Sequence, residues 1–107
     1  MNEERIKQLE RFIQEDPNDP FLKYALATEY LKNNKRKSAE LFEDLLKTHP
    51  DYIATYYHAA ALFTEFGEME KAENIYTSGI QKAQALNESH ALKELQSAYI
   101  NFQFENE

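Results

Sequence analysis

The chain contains no cysteine. Disulfides, thiolate metal sites and thiol nucleophiles are therefore excluded together, in keeping with a reducing compartment. It has only two glycines and three prolines, which leaves few places for β-turns. No apolar run approaches the roughly 20 residues that a membrane span needs, and the opening Met1-Asn2-Glu3-Glu4-Arg5 is charged, so neither an anchor nor a signal peptide is visible and a cytoplasmic protein is expected. Cations are in short supply: 12 Lys and Arg face 19 Asp and Glu, a net charge of -7. A chain so acidic along its length repels phosphate backbones and anionic lipid, which makes nucleic acid and membrane surfaces poor partners.

Chemistry-bearing patterns are missing too. There is no Gly-rich phosphate loop, no G-x-S-x-G elbow and no HExxH pair, and Ser38, Ser78, Ser89 and Ser97 have no evident base beside them. His49, His58 and His90 are far apart in sequence, and His90 with Glu94, one helical turn on, reads as a solvated contact rather than two metal ligands. The basic run Lys35-Arg36-Lys37 reads as a solvated turn. No catalytic residue, cofactor or metal is expected.

What is present is helix. A length of 107 residues with 42% hydrophobic content suits one domain, 1–107, around one modest core. Breaks fall at Asp16 to Pro20, Asn33-Asn34, His49-Pro50-Asp51, Gly67 and Asn87, cutting the chain into helix-sized pieces. The first, Asn2 to Glu15, carries Ile6, Leu9, Phe12 and Ile13 at helical spacing. The second opens on Asp19-Pro20, a capping carboxylate followed by a residue whose missing N–H costs nothing there, and runs to about Asn33, where Asn34 tolerates the left-handed conformation. The third, Arg36 to Thr48, is stopped by Pro50. The fourth begins near Asp51 and ends at Gly67, the fifth covers Glu68 to about Leu86, and the sixth covers Glu88 to Phe104. Short connections join antiparallel neighbours into hairpins.

Self-similarity gives these hairpins a register. Laying Pro20 to Tyr52 over Ile53 to Leu86 pairs Leu26-Ala27 with Ala59-Ala60, Tyr30 with Phe63, Phe42 with Tyr76, and Leu45-Leu46 with Gly79-Ile80. The period is about 34 residues. In this pattern, Y-x-x-A-A-x-x-F-x-x-x-G followed by A-x-x-x-Y-x-x-G-I, the chain resembles the tetratricopeptide-repeat (TPR) family in its small bacterial form. Asp16-Pro17-Asn18 and His49-Pro50-Asp51 resemble that family's closing linker. The first unit departs from the pattern at Lys23, where a large aromatic belongs, and at Ser38, where a small alanine belongs, and its turn is one residue shorter. The resemblance implies an all-α fold of TPR-like α-hairpin repeats, about two full repeats plus flanking helices in a short right-handed solenoid. The segments are an N-terminal helix in 1–16, repeats at 20–52 and 53–86, and a capping helix in 87–104.

Under this register Ala27, Ala60, Ala72 and Gly79 are close-approach positions, and Tyr30, Phe42, Phe63 and Tyr76 fill the gaps beside them. The last helix should pack over Ile75 to Ile80 through Ala91, Leu92, Leu95, Ala98, Tyr99 and Phe102. The resemblance implies a non-enzymatic scaffold whose first helices line a concave groove, which projects onto Phe21, Tyr24, Thr28, Leu31 and Lys32 beside Tyr57, His58, Ala61 and Glu65. Packing of Phe21, Tyr24 and Tyr57 under the flanking helices is the other use for those rings. TPR modules that clamp a carboxylate-ended peptide carry Lys and Asn in the groove, and here the positions hold Tyr24, Thr28 and His58. The expected partner is therefore a protein or peptide segment that is apolar or basic. Ile100 and Phe104 lie off the last helix's core stripe, which leaves self-association into a homodimer as the alternative.

Overall fold

A computed structural model describes residues 3–106 of the chain. These residues divide into two compact units, one reaching to Tyr52 and the other beginning at Ile53. The first unit contains α1 (Glu3–Glu15), α2 (Pro20–Tyr30) and α3 (Lys35–Thr48). The second contains α4 (Ala54–Glu65), α5 (Met69–Ala85) and α6 (Ser89–Glu105). No strand occurs among the described residues. Asn2, the expected start of the first helix, lies outside them.

In the first unit α1 lays Ile6 and Leu9 on Ala25, Leu26 and Tyr30 of α2, with Ile13, Leu22 and Leu41 at the margin. Its opening glutamates, Glu3 and Glu4, sit where the helix dipole favours negative charge. The α1 to α2 turn ends on Asp19, whose carboxylate accepts the Phe21 N–H at 3.0 Å ahead of Pro20 at the first helical position. Between α2 and α3 the chain departs from expectation. Asn34 has φ -145 rather than a left-handed backbone, and its side chain accepts the Lys37 N–H at 3.2 Å, so it caps the start of α3 instead of ending α2. Helix α2 stops earlier than expected, because Lys32 and Asn33 donate to carbonyls only three residues back, a tightening that exhausts the last turn. Ser38, wholly buried, donates to the Ala27 carbonyl at 2.7 Å. That bond explains a serine at an alanine position: the hydroxyl is small enough for the crossing and has a partner there.

In the second unit two helix ends share one device. Gly67 has φ 80, with Glu68 N–H on the Phe63 carbonyl at 2.9 Å; Asn87 has φ 58, with Glu88 N–H on the Ala83 carbonyl at 2.9 Å. Both are left-handed C′ residues of a Schellman-type end. The fourth helix begins at Ala54 rather than near Asp51, since Pro50 and Asp51 form a turn closed by Tyr52 N–H on the His49 carbonyl at 3.0 Å. The core is closed by Ala59, Ala60, Phe63, Ala72, Ile75 and Tyr76, all buried. Helix α6 seals it with Leu95 and Phe102, the latter ring 5.4 Å from that of Tyr76 and 6.2 Å from that of Tyr99.

Equivalent positions of the two hairpins solve one packing problem differently. In the second unit the Tyr56 side chain lies directly on Gly79, where an added Cβ would come within 2.7 Å of the tyrosine Cβ. In the first unit the equivalents are Lys23 and Leu45: the lysine turns to Asp44 with its Nζ 2.9 Å from the carboxylate, and Leu45 is wholly buried. Ring with glycine and lysine with leucine are thus two paired solutions. Gly79→Ala should lower stability by about 1 to 3 kcal/mol, because Tyr56 Cβ is anchored to α4 and the helices must part. The gain in helix propensity, up to about 1 kcal/mol, is too small to reverse the sign. A thermal melt of the variant above the parent's would show that the helices do not meet at this residue.

Candidate functional site

Residues at the hairpin crossings are committed to packing, so any binding surface must use other faces of the same helices. On α2 the expected stripe is unevenly open. Phe21 is 53% exposed. Tyr24 is half-buried, its ring 6.5 Å from Phe42 and 5.7 Å edge-on from Tyr52, both in its own unit. Thr28 donates its hydroxyl to the Ala25 carbonyl at 2.9 Å. Leu31 is half-buried and lies just past the end of α2, in the turn. Lys32 places its Nζ 3.3 Å from Glu29, a buried carboxylate that also receives Arg5 of α1 at 3.1 Å.

On α4, Tyr57 is 44% exposed, and Ala61 and Glu65 continue its exposed stripe. His58 is half-buried, with its ring 5.6 Å from that of Tyr57 in an edge contact. The two stripes belong to different units, and each is a helix face rather than an enclosed cavity.

Electrostatics identifies residues that the sequence pattern missed. Burial lowers the pKa of His58 below the ordinary 6.5, and the nearby charge of Glu94 on α6 opposes that shift. Burial raises the pKa of Tyr76, as do Tyr57 and Glu105 nearby. Glu94 and Glu105 are about three helical turns apart on α6; the first acts on His58 of α4 and the second on Tyr76 of α5. Their spacing in the sequence was the available signal. It carries meaning only once α6 is known to touch α4 and α5. Tyr52 is a second omission: its hydroxyl pKa is raised by burial, then by Tyr24 and Asp19.

The other histidines are structural or solvated. His49 joins its Nδ1 to the Thr48 hydroxyl at 2.9 Å and its Nε2 to the Asn18 carbonyl at 3.1 Å, clasping one linker to the other. His90 lies 3.6 Å from Glu94 with its side chain 89% exposed. Among the described residues no three His, Cys, Asp or Glu side chains gather as metal ligands, and no helix is long and apolar enough to cross a membrane.

Pairs of antiparallel helices repeated in one register, with small residues at the crossings and rings beside them, define an α-hairpin repeat protein. A solution NMR structure of a tetratricopeptide repeat domain protein from Salinibacter ruber is 41% identical, with a TM-score of 0.76, covering 81% of this chain and 89% of that one. A crystal structure carrying the same description, also from Salinibacter ruber, is 40% identical with a TM-score of 0.76, covering 79% of this chain and 96% of that one. No protein-family model matches the chain, and neither does any curated protein. On the identity and coverage of these structures, the chain belongs to the tetratricopeptide-repeat family, a fold that serves in general as a protein-interaction module.

The lowered pKa of His58 fixes the direction of a pH effect. An unfolded histidine protonates near 6.5. In the folded chain protonation is harder, so between those two values the unfolded state binds more protons and stability falls as pH falls. The chain should therefore lose thermal stability on acidification from about pH 7.5 to 5.5, a range above most carboxylate titration. His58→Gln should flatten that decline. Equal slopes for parent and variant would show that Glu94 compensates for burial completely.

Proposed function

We propose that the chain is a non-enzymatic cytoplasmic scaffold that binds a protein or peptide segment, with the first helix of each repeat, α2 in one unit and α4 in the other, offering a binding face. Phe21, Tyr24 and Thr28 serve on the first, with Leu31 and Lys32 in the turn after it, and Tyr57, His58, Ala61 and Glu65 on the second. The observation that carries this reading is Tyr57, a large ring 44% exposed on a helix whose other aromatics, Tyr56 and Phe63, are buried. Exposed tyrosine gives a partner wide apolar contact at little cost in side-chain entropy. Glu65 on the same stripe and Glu94 and Glu105 on α6 favour a ligand with apolar anchors and basic flanks, and they repel acidic tails.

Tyr57→Ala should weaken a partner captured from the source lysate by about 2 kcal/mol, roughly thirtyfold in Kd. Stability should change less, because the ring lies outside the core. Calorimetric titration of parent and variant, both verified as folded, decides: equal affinities would move the binding surface elsewhere.

One observation favours self-association as a second use of the chain. Ile100 and Phe104, one turn apart on α6, are 51% and 70% exposed. A two-fold pairing of α6 helices would cover both. Sedimentation equilibrium at tens of micromolar should then show a dimer that Phe104→Ser returns to monomer. A monomer mass for the parent chain removes this reading.

A further inference from the structure

A cleft of about 550 Å³ opens between the start of α5 and the end of α6, lined by Met69, Glu70, Glu73, Phe102, Gln103 and Asn106. It involves none of the α2 or α4 stripe residues, so its occupancy is independent of the function proposed for them. Its size is within the range of sites that take a ligand or a partner's side chains. Its wall is apolar. The Phe102 ring is held against Tyr76 and Tyr99, and Met69, 37% exposed, extends the apolar surface outward.

Its charge is all of one sign. Glu70 and Glu73 are the charged residues of the lining, and no basic side chain is among them. The nearest lysine in sequence, Lys71, directs its Nζ to the Phe63 ring, 4.4 Å from the centroid. Glu73 is held in place, since one of its oxygens accepts the Tyr99 hydroxyl at 2.9 Å, a bond that raises the tyrosine's pKa. Asn106 is tied down as well, its Nδ2 donating to the Phe102 carbonyl at 2.8 Å.

Charge decides between occupants. A second copy of a chain with net charge -7 adds like charge to a cleft that already has two carboxylates. A purely apolar segment would strip water from those carboxylates and give nothing back. A phosphate or acidic tail is repelled. An arginine satisfies both features: its methylene stem covers apolar surface, and its planar guanidinium engages carboxylates through paired hydrogen bonds. We infer that the α5–α6 cleft is a docking site for a basic segment of a partner protein, with an arginine stem on Met69 and Phe102 and its guanidinium at Glu70 and Glu73.

The test uses the full chain, isotopically labelled, and a capped twelve-residue peptide of leucine and arginine, followed by amide chemical shifts. A control peptide carries citrulline, which keeps the shape and removes the charge, at every arginine. Shifts should cluster at residues 69–73 and 102–106, and the citrulline peptide should bind at least about tenfold more weakly. E70Q/E73Q, which keeps hydrogen-bonding groups at both positions, should cause a similar loss at low salt, whereas Tyr57→Ala should not. Equal binding by the citrulline peptide, or by the folded E70Q/E73Q chain, would overturn the inference. Shifts confined to the Tyr57 and His58 stripe would also overturn it while leaving the proposed function standing. So would a dimer, detected by sedimentation without peptide, that E70Q/E73Q abolishes.

Discussion

Everything in this protein depends on how closely two helices of a hairpin can approach. At the crossings stand Ala27 against Ser38 in the first unit and Ala60 and Ala72 in the second, all wholly buried. Side chains this small let the helix backbones come together, and close approach gives the neighbouring rings their dispersion contacts. Phe42 and Phe63 are at most 2% exposed, and Tyr30 and Tyr76 are nearly as buried. With the rings of each hairpin buried and α1 and α6 covering part of α2 and α4, what those helices leave open is confined to exposed positions such as Phe21, Tyr57, Ala61 and Glu65. Binding capacity in such a fold follows from what the core does not use.

That division explains which parts were legible in the sequence. The helices and the crossings could be read because their signals are local: apolar residues at helical spacing, Asp19-Pro20 at a start, Gly67 at an end. The errors came where two local signals competed. Asn34 suits either a left-handed end or a cap, and only the bond to Lys37 N–H decides between them. Asp51, just after the Pro50 that stops α3, looks like the beginning of α4, but the turn closed on His49 delays the helix to Ala54. At the candidate site the limit was distance in the chain. Glu29 looks like one more solvated carboxylate until α1 supplies Arg5, and Glu94 becomes a neighbour of His58 on α4, and Glu105 of Tyr76 on α5, only through the packing of α6.

The two departures from the repeat pattern were visible in the sequence, but their physical meaning was not. Ser38 reads as a defect at an alanine position until its hydroxyl is found on the Ala27 carbonyl. Lys23 reads as a lost aromatic until Asp44 is found accepting its charge, with a wholly buried Leu45 where the second unit has Gly79. Each unit is self-consistent, and mixing them would fail. A tyrosine at 23 would meet Leu45 where the second unit has only a glycine's hydrogen, and a lysine at 56 would leave a void above Gly79. The repeat therefore specifies pairs of residues across a hairpin rather than residues one at a time.

The same reasoning bears on where charge accumulates. Among the described residues a core built from Ala, Tyr, Phe and Leu takes up almost no carboxylates or cations, and the buried Glu29 has cations on both sides. The excess of acidic residues is thereby left on the surface, where carboxylates do little for stability and much for partner choice. At the edges of α5 and α6 that charge stands beside apolar surface that packing leaves partly open, at Met69, Ile100 and Phe104. Apolar area alone attracts any exposed hydrophobe, including another copy of the chain, whereas carboxylates placed beside it penalise every occupant that brings no positive charge. Selectivity here is thus a product of the surface that folding leaves over, set by which side chains the hairpin crossings could not accommodate.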